Sequence, residues 1–164
     1  MQFDILIKNS FIINGTGNPW FQSSLGVSNG KIEAIGALNA ANATTVIDAS
    51  GLILAPGFID MHSHTDFRYL VNSKAESKIR QGVTTEVIGN CGNSAAPLKD
   101  SLRERILKTM PYLTKSGVNF DWSTMAEYMH KIEEQGISLN VAPLVGHGTV
   151  RAYVMGYEQR APTR

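Results

Sequence analysis

The chain has 164 residues, of which 43% are hydrophobic and 18% charged, and its formal net charge at neutral pH is +1. Those proportions suit a folded domain and exclude a disordered polyelectrolyte; Lys and Arg are scattered among Asp and Glu, so no basic face for nucleic acid is expected. Gly and Pro interrupt the apolar stretches well short of the ~20 residues a membrane helix needs, and Met1-Gln2-Phe3-Asp4 lacks the basic opening of a signal peptide, so neither a membrane span nor export is expected.

In chain order, residues 1–55 read as short strands joined by tight turns. Phe3 to Lys8 and Phe11-Ile12-Ile13 are strand-like and run into the turn-rich Asn14-Gly15-Thr16-Gly17. Leu25 to Ser28 and Lys31 to Ile35 flank Asn29-Gly30, a pair suited to a two-residue hairpin, and Thr44 to Asp48 supplies a further strand. The expectation is a small antiparallel β unit. From residue 56 onward strands alternate with helices. A strand through Ile59 ends at His62-Ser63-His64, a second is Thr84 to Ile88, and a third spans Ile137 to Val145. Between them, Ser73 with Glu76 and Ser101 with Glu104 are candidate capping boxes, and Met125, Tyr128, Met129 and Ile132 mark a helix that stops at Gly136. Strand-helix-strand order implies a parallel α/β sheet, whose chemistry gathers at the carboxyl ends of the strands.

His62, His64, Cys91 and His147 all fall at such ends. Residues two apart on a strand point the same way, so two imidazoles in His-x-His can converge on one metal ion; the same spacing also occurs in packed or surface pairs. Cys91, the only cysteine, is either a metal ligand or a small buried hydrophobe, and its solitude suits a reducing, cytoplasmic setting. Imidazole and thiolate are good zinc ligands, and a hydrolytic zinc keeps one position open for water. Asp60 shares the strand face of the histidines, where it either orients an imidazole or bonds backbone amides at the strand end. His147, between two glycines, either touches substrate or a metal-bound water, or is a structural histidine. Arg151 either binds a carboxylate or caps a helix, and His130 reads as part of a solvated helix face.

The stretch Pro56-Gly57-Phe58-Ile59-Asp60-Met61-His62-Ser63-His64 resembles the entry strand of the amidohydrolase superfamily, metal-dependent hydrolases built on a (β/α)8 TIM-type barrel with a small β-sandwich. Gln81-Gly82-Val83-Thr84-Thr85, Gly89 to Pro97 and Val145 to Arg151 are similar to the N-acyl-D-amino-acid deacylases, or D-aminoacylases, and the resemblance runs along essentially the whole chain. It implies an N-terminal part of the β-sandwich in residues 1–55 and the first three β/α units of the barrel in 56–164. It also implies zinc-dependent hydrolysis of N-acyl-D-amino acids, with Cys91 as a zinc ligand and His62 and His64 at a neighbouring metal position. The aspartate that moves the proton, two further histidines and the groups gripping the substrate carboxylate have no counterpart among these residues. The chain is therefore expected to be an inactive portion with zinc incompletely coordinated or absent. Two alternatives remain. One is a cyclic-amide amidohydrolase of the hydantoinase or dihydroorotase type, which typically takes a carboxylated lysine instead of the cysteine. The other is a non-catalytic binding protein that self-associates through an open barrel edge.

Overall fold

A computed structural model describes residues 2–39 and 41–163. The chain divides into two compact units, Met1–Pro56 and Gly57–Arg164.

The first unit is one sheet of five strands: β1 (Gln2–Ile12), β2 (Phe21–Ser28), β3 (Lys31–Gly36), β4 (Asn42–Asp48) and β5 (Ile53–Leu54). Their order is β3-β2-β1-β4, with β5 also paired to β1. The Asn29-Gly30 hairpin forms as expected: both residues have positive φ, 51° and 70°, the combination a type I′ turn requires. The sheet is mixed, however, and not antiparallel throughout. β1 runs antiparallel to β2 but parallel to β4 and β5, because after β3 the chain rejoins the sheet on the far side of β1. Strand patterns in a sequence show where strands lie; they carry no sign of the side from which each one joins.

The second unit alternates as expected. Its strands β6 (Phe58–Asp60), β7 (Val83–Ile88) and β8 (Asn140–Pro143) form a parallel sheet in the order β6-β7-β8. Between β6 and β7 lie the short helices α1 (Arg68–Val71) and α2 (Glu76–Ile79). Between β7 and β8 lie α3 (Asp100–Thr109), α4 (Pro111–Lys115) and α5 (Met125–Gln135), and α6 (His147–Met155) follows β8. The core joins Ile88 of β7 to Leu102 of α3, Leu113 of α4, Tyr128 and Ile132 of α5 and Ala152 of α6. At its centre Trp122 stacks on Phe120 at 4.9 Å between ring centroids and donates its indole N–H to the Ala95 carbonyl at 2.9 Å. A buried indole needs such a partner.

Helix starts differ from the sequence reading. Neither expected capping box forms: α2 is preceded by Ala75 in a left-handed conformation, and α3 begins two residues earlier than the box allows, with Lys99 at its N-cap. Asp100 occupies the first turn of α3 and pairs with Arg103, which leaves Ser101 inside the helix. The box is found on α5, where Thr124 Oγ1 accepts the Glu127 amide at 3.2 Å and Glu127 accepts the Thr124 amide at 2.8 Å. Gly136 closes that helix as expected.

Candidate metal centre

His62 and His64 lie just beyond the last paired residue of β6. The alternation of an extended chain persists there: both histidines are exposed, while Ser63 between them is buried and donates its amide to the Val87 carbonyl of β7 at 3.2 Å. The two imidazoles therefore share a side, with ring centroids 5.4 Å apart.

Cys91 follows β7 in a loop where Gly89, Cys91 and Gly92 all have positive φ. Cys91, at 53°, carries a Cβ in the left-handed region, a conformation that costs about 1–2 kcal/mol and persists where the surroundings over-determine it. Those surroundings are specific. The Asn90 side-chain amide donates to the Val87 carbonyl at 2.8 Å and the Ser63 carbonyl at 3.3 Å, so it ties the cysteine loop to the histidine segment. From the other side the Thr149 amide donates to the Gly92 carbonyl at 3.0 Å, and the Gly146 amide donates to Ser94 Oγ at 2.9 Å. A side chain on Gly146 would sit 2.5 Å from the carbonyl of Gly92, so the loop and the turn before α6 meet backbone to backbone.

The result is a cluster. His62 Nε2 lies 3.1 Å from Cys91 Sγ, and the donor atoms of His62, His64 and Cys91 all lie within 4.8 Å of one another. Zinc takes His nitrogen at about 2.0–2.1 Å and thiolate sulfur at about 2.3 Å, so two donors can share an ion only within about 4.4 Å. The cluster meets that limit after side-chain shifts of about a few tenths of an ångström, and all three side chains are exposed. The donor set and its spacing fit zinc.

The other residues singled out from the sequence fall as follows. Asp60 does not engage an imidazole: Oδ1 accepts the His62 backbone amide at 3.1 Å and Oδ2 accepts Lys78 Nζ at 2.7 Å. Those hydrogen bonds, Lys78 first, hold its carboxyl below the usual aspartate range. His147 is the exposed first residue of α6, outside the donor cluster, and its neighbours Gly146 and Gly148 abut Gly92. Arg151 donates to the carbonyls of Glu158 at 2.8 Å and Gly156 at 3.5 Å, so it closes the end of α6. His130 lies beside Glu134, one turn further along the exposed face of α5.

Three groups beneath the site were not foreseen. Glu86 of β7 is fully buried at 0% exposure, yet it is charged: Lys78 Nζ lies 2.7 Å from Oε1, and Oε2 accepts Thr65 Oγ1 at 2.5 Å and the Tyr69 hydroxyl. Burial pushes its carboxyl up, but the bonds from Lys78, Thr65 and Tyr69 together outweigh that and hold it below the ordinary glutamate value. Lys78 itself is pushed up, first by Asp60 and then by Glu86. Asp66 is 7% exposed, with Oδ1 lacking a partner among the described residues; burial raises its carboxyl, opposed by its own amide and that of Gly89. For Glu86 the available signal was a charged residue inside the strand Thr84-Thr85-Glu86-Val87-Ile88; Asp66, in the turn before α1, and Lys78, on the short α2, carry no such signal.

The chain is similar to known proteins along nearly its whole length. Residues 45–163 match the family described as Amidohydrolase family. A D-aminoacylase from Alcaligenes xylosoxydans xylosoxydans is 41% identical over 161 residues, which cover 98% of this chain and 32% of that protein. The crystal structure of an N-acyl-D-glutamate deacylase from Bordetella bronchiseptica, complexed with zinc and a phosphonate mimic of the reaction's tetrahedral intermediate, superposes with a TM-score of 0.83 at 39% identity. That superposition covers 99% of this chain and 33% of the deacylase. An L-hydantoinase from Arthrobacter aurescens shares the fold alone, at 20% identity and a TM-score of 0.55 over 86% of this chain and 27% of its own. The chain thus spans about a third of the length of the deacylases it matches, and along nearly all of that span it belongs to the amidohydrolase family, with D-aminoacylases and N-acyl-D-amino-acid deacylases as its close relatives.

Proposed function

We propose that these residues are the zinc-binding opening of an N-acyl-D-amino-acid deacylase, which hydrolyses the amide bond of an N-acyl-D-amino acid to a carboxylate and a free D-amino acid. The observation that carries the reading is the convergence of His62, His64 and Cys91. A cysteine in that position, and not a lysine, favours the linear-amide deacylases over the cyclic-amide enzymes, and the relatives in the comparison point the same way. β6, β7 and β8 are read as the first three strands of a (β/α)8 barrel, with residues 1–55 contributing to a β-sandwich.

Zinc in such a site supplies a Lewis acid that polarises the amide carbonyl and lowers the pKa of a bound water toward neutrality. The chain's own part is to hold and present. Cys91 offers its sulfur from a backbone locked in the left-handed region, and His62 and His64 offer nitrogens from one side of an extended segment. All three are exposed, so an amide substrate can reach the donor cluster. Three donors leave the ion's remaining positions to other ligands, and no residue here is assigned the proton transfer. On this reading the 164 residues bind zinc with an incomplete shell and do not turn over substrate unaided.

Two measurements test the proposal. Cobalt(II) added to the chain should give a thiolate-to-metal charge-transfer band that is lost in Cys91→Ser; a band that survives that substitution would remove Cys91 from the site. The complete gene product should hydrolyse N-acetyl-D-methionine in preference to its L enantiomer. Turnover confined to cyclic amides would overturn the substrate assignment.

A further inference from the structure

Lys78 lies on the buried side of the His62-Ser63-His64 segment, opposite the imidazoles. Its ammonium meets three groups from three places in the chain: Asp60 Oδ2 at the end of β6 at 2.7 Å, Glu86 Oε1 on β7 at 2.7 Å, and Ser63 Oγ between the two histidines at 3.5 Å. Each partner grips the histidine segment in turn. Asp60 accepts the His62 amide at 3.1 Å. Glu86 accepts the hydroxyl of Thr65, the residue after His64, at 2.5 Å. Ser63 Oγ and Thr65 Oγ1 lie 3.3 Å apart, so hydrogen bonds run from the ammonium through Ser63 and Thr65 to Glu86 Oε2, and the ion pair with Glu86 Oε1 closes the circuit.

A group of this kind is costly where it stands. An ion pair with one partner fully buried, as Glu86 is here, contributes little net stability compared with apolar residues of the same size, because desolvation of that partner offsets the attraction between the charges. What it does provide is directional hold: Glu86 is fully buried, is also bonded by Tyr69, and has no freedom to follow a wandering partner. Beyond Asp60 and Glu86, where the ladder between β6 and β7 ends, the segment is joined to β7 by the Ser63 amide on the Val87 carbonyl at 3.2 Å, and the Lys78 group adds side-chain ties on either side of that bond.

We propose that Lys78, seated between Asp60 and Glu86, is a positioning residue for the metal centre, fixing the His62-Ser63-His64 backbone so that both imidazoles stay aimed at Cys91. This rests on the metal-site reading above. Lys78 touches neither ligand side chain; it acts through the Asp60 carboxylate, the Ser63 hydroxyl and the Glu86–Thr65 bond. Groups that orient metal ligands from behind typically change affinity by about 10–100-fold when removed.

The test uses the full 164-residue chain and cobalt(II) as probe, with affinity measured by chelator competition and geometry by the thiolate charge-transfer band. The informative variant is the double substitution Lys78→Met with Glu86→Gln. It removes the bridge while keeping the group's net charge, because one carboxylate remains where two carboxylates and an ammonium stood, so a change in affinity reports position and not a loss of negative charge near the cation. The expected result is a native circular dichroism spectrum, cobalt affinity at least about tenfold weaker and an altered band. A second variant, Asp60→Asn, removes the charge partner while keeping the side chain's size at a partly exposed site, and should also weaken cobalt binding several-fold. Wild-type affinity and band in the double variant, or in Asp60→Asn should the double variant not fold, would overturn the proposal. If the wild-type chain binds no cobalt, it is the metal-site reading that fails instead.

Discussion

Replacing Gly146 by Ala isolates one cause, the close approach of two backbones behind Cys91. Gly146 has φ −71° and ψ 125°, a conformation open to any residue, so the substitution introduces no backbone strain. Its Cβ would nevertheless lie 2.5 Å from the carbonyl carbon and oxygen of Gly92 and 2.7 Å from the amide nitrogen of Asn93. Ordinary contact begins near 3.4 Å, so the turn before α6 and the cysteine loop must part by about 0.9 Å. Both sides are main chain, tied by the Thr149 amide to the Gly92 carbonyl and by the Gly146 amide to Ser94 Oγ, and neither can swing aside as a side chain would. Overpacking of this kind costs about 1–3 kcal/mol. For a unit of roughly 100 residues that is a fall in melting temperature of about 4–8 °C per kcal/mol, read by circular dichroism. Because Cys91 is carried by the loop that moves, and a metal site tolerates only about 0.2 Å of error in each ligand distance, cobalt affinity should fall as well. Gly36→Ala, whose new Cβ meets nothing within 4 Å, is the control. A Gly146→Ala protein that melts with Gly36→Ala and binds cobalt like the wild type would refute the argument that this contact sets the cysteine loop.

Three further outcomes are expected. Trp122→Phe should keep the aromatic packing but leave the buried Ala95 carbonyl without its donor, at a cost of about 1–3 kcal/mol by urea denaturation; a cost under about 0.5 kcal/mol would mean that another donor replaces the indole. Thr124→Ala removes the α5 cap and should cost about 1 kcal/mol in the same assay, whereas Thr114→Ala, on the exposed end of α4, should be near neutral. The third concerns acid. Backbone bonds from Ser123 and Thr124 hold the Glu127 carboxyl below its usual value, and Lys131 does the same for Asp121. A carboxyl depressed in the folded state stabilises it fully above the unfolded value, near about pH 4, and that contribution is lost as pH falls through the lower folded value. Trp122 fluorescence in a Trp20→Phe background should follow this loss, and Glu127→Gln should flatten the acid limb; an unchanged acid limb would exclude Glu127 as a source of it.

Much of the second unit was legible in the sequence because its signals are local. The period of Tyr128, Met129 and Ile132 with Gly136 behind them determines α5 wherever that helix packs, and the order of strands and helices determines a parallel sheet. The shared side of His62 and His64 was legible for the same reason, since it needs nothing more than the alternation of an extended chain. The helix starts at α2 and α3 were misread because Ser73 and Ser101 satisfy a capping pattern that their backbones do not adopt, and only the path of the chain around Ala75 and Lys99 decides which residue lies at the helix end. The parallel placement of β4 beside β1 likewise depends on where the chain travels after β3, a choice that pairing energy makes and strand propensity does not. Tertiary structure alone decided that Cys91 meets His62, 29 positions away in the chain, and that Lys78 finds Asp60 and Glu86 beneath them. Residue types determine which chemistry is possible; buried charges and left-handed turns gain their partners only when β6, β7 and the turn before α6 come together, because only there does burial make an unpartnered charge too costly to keep.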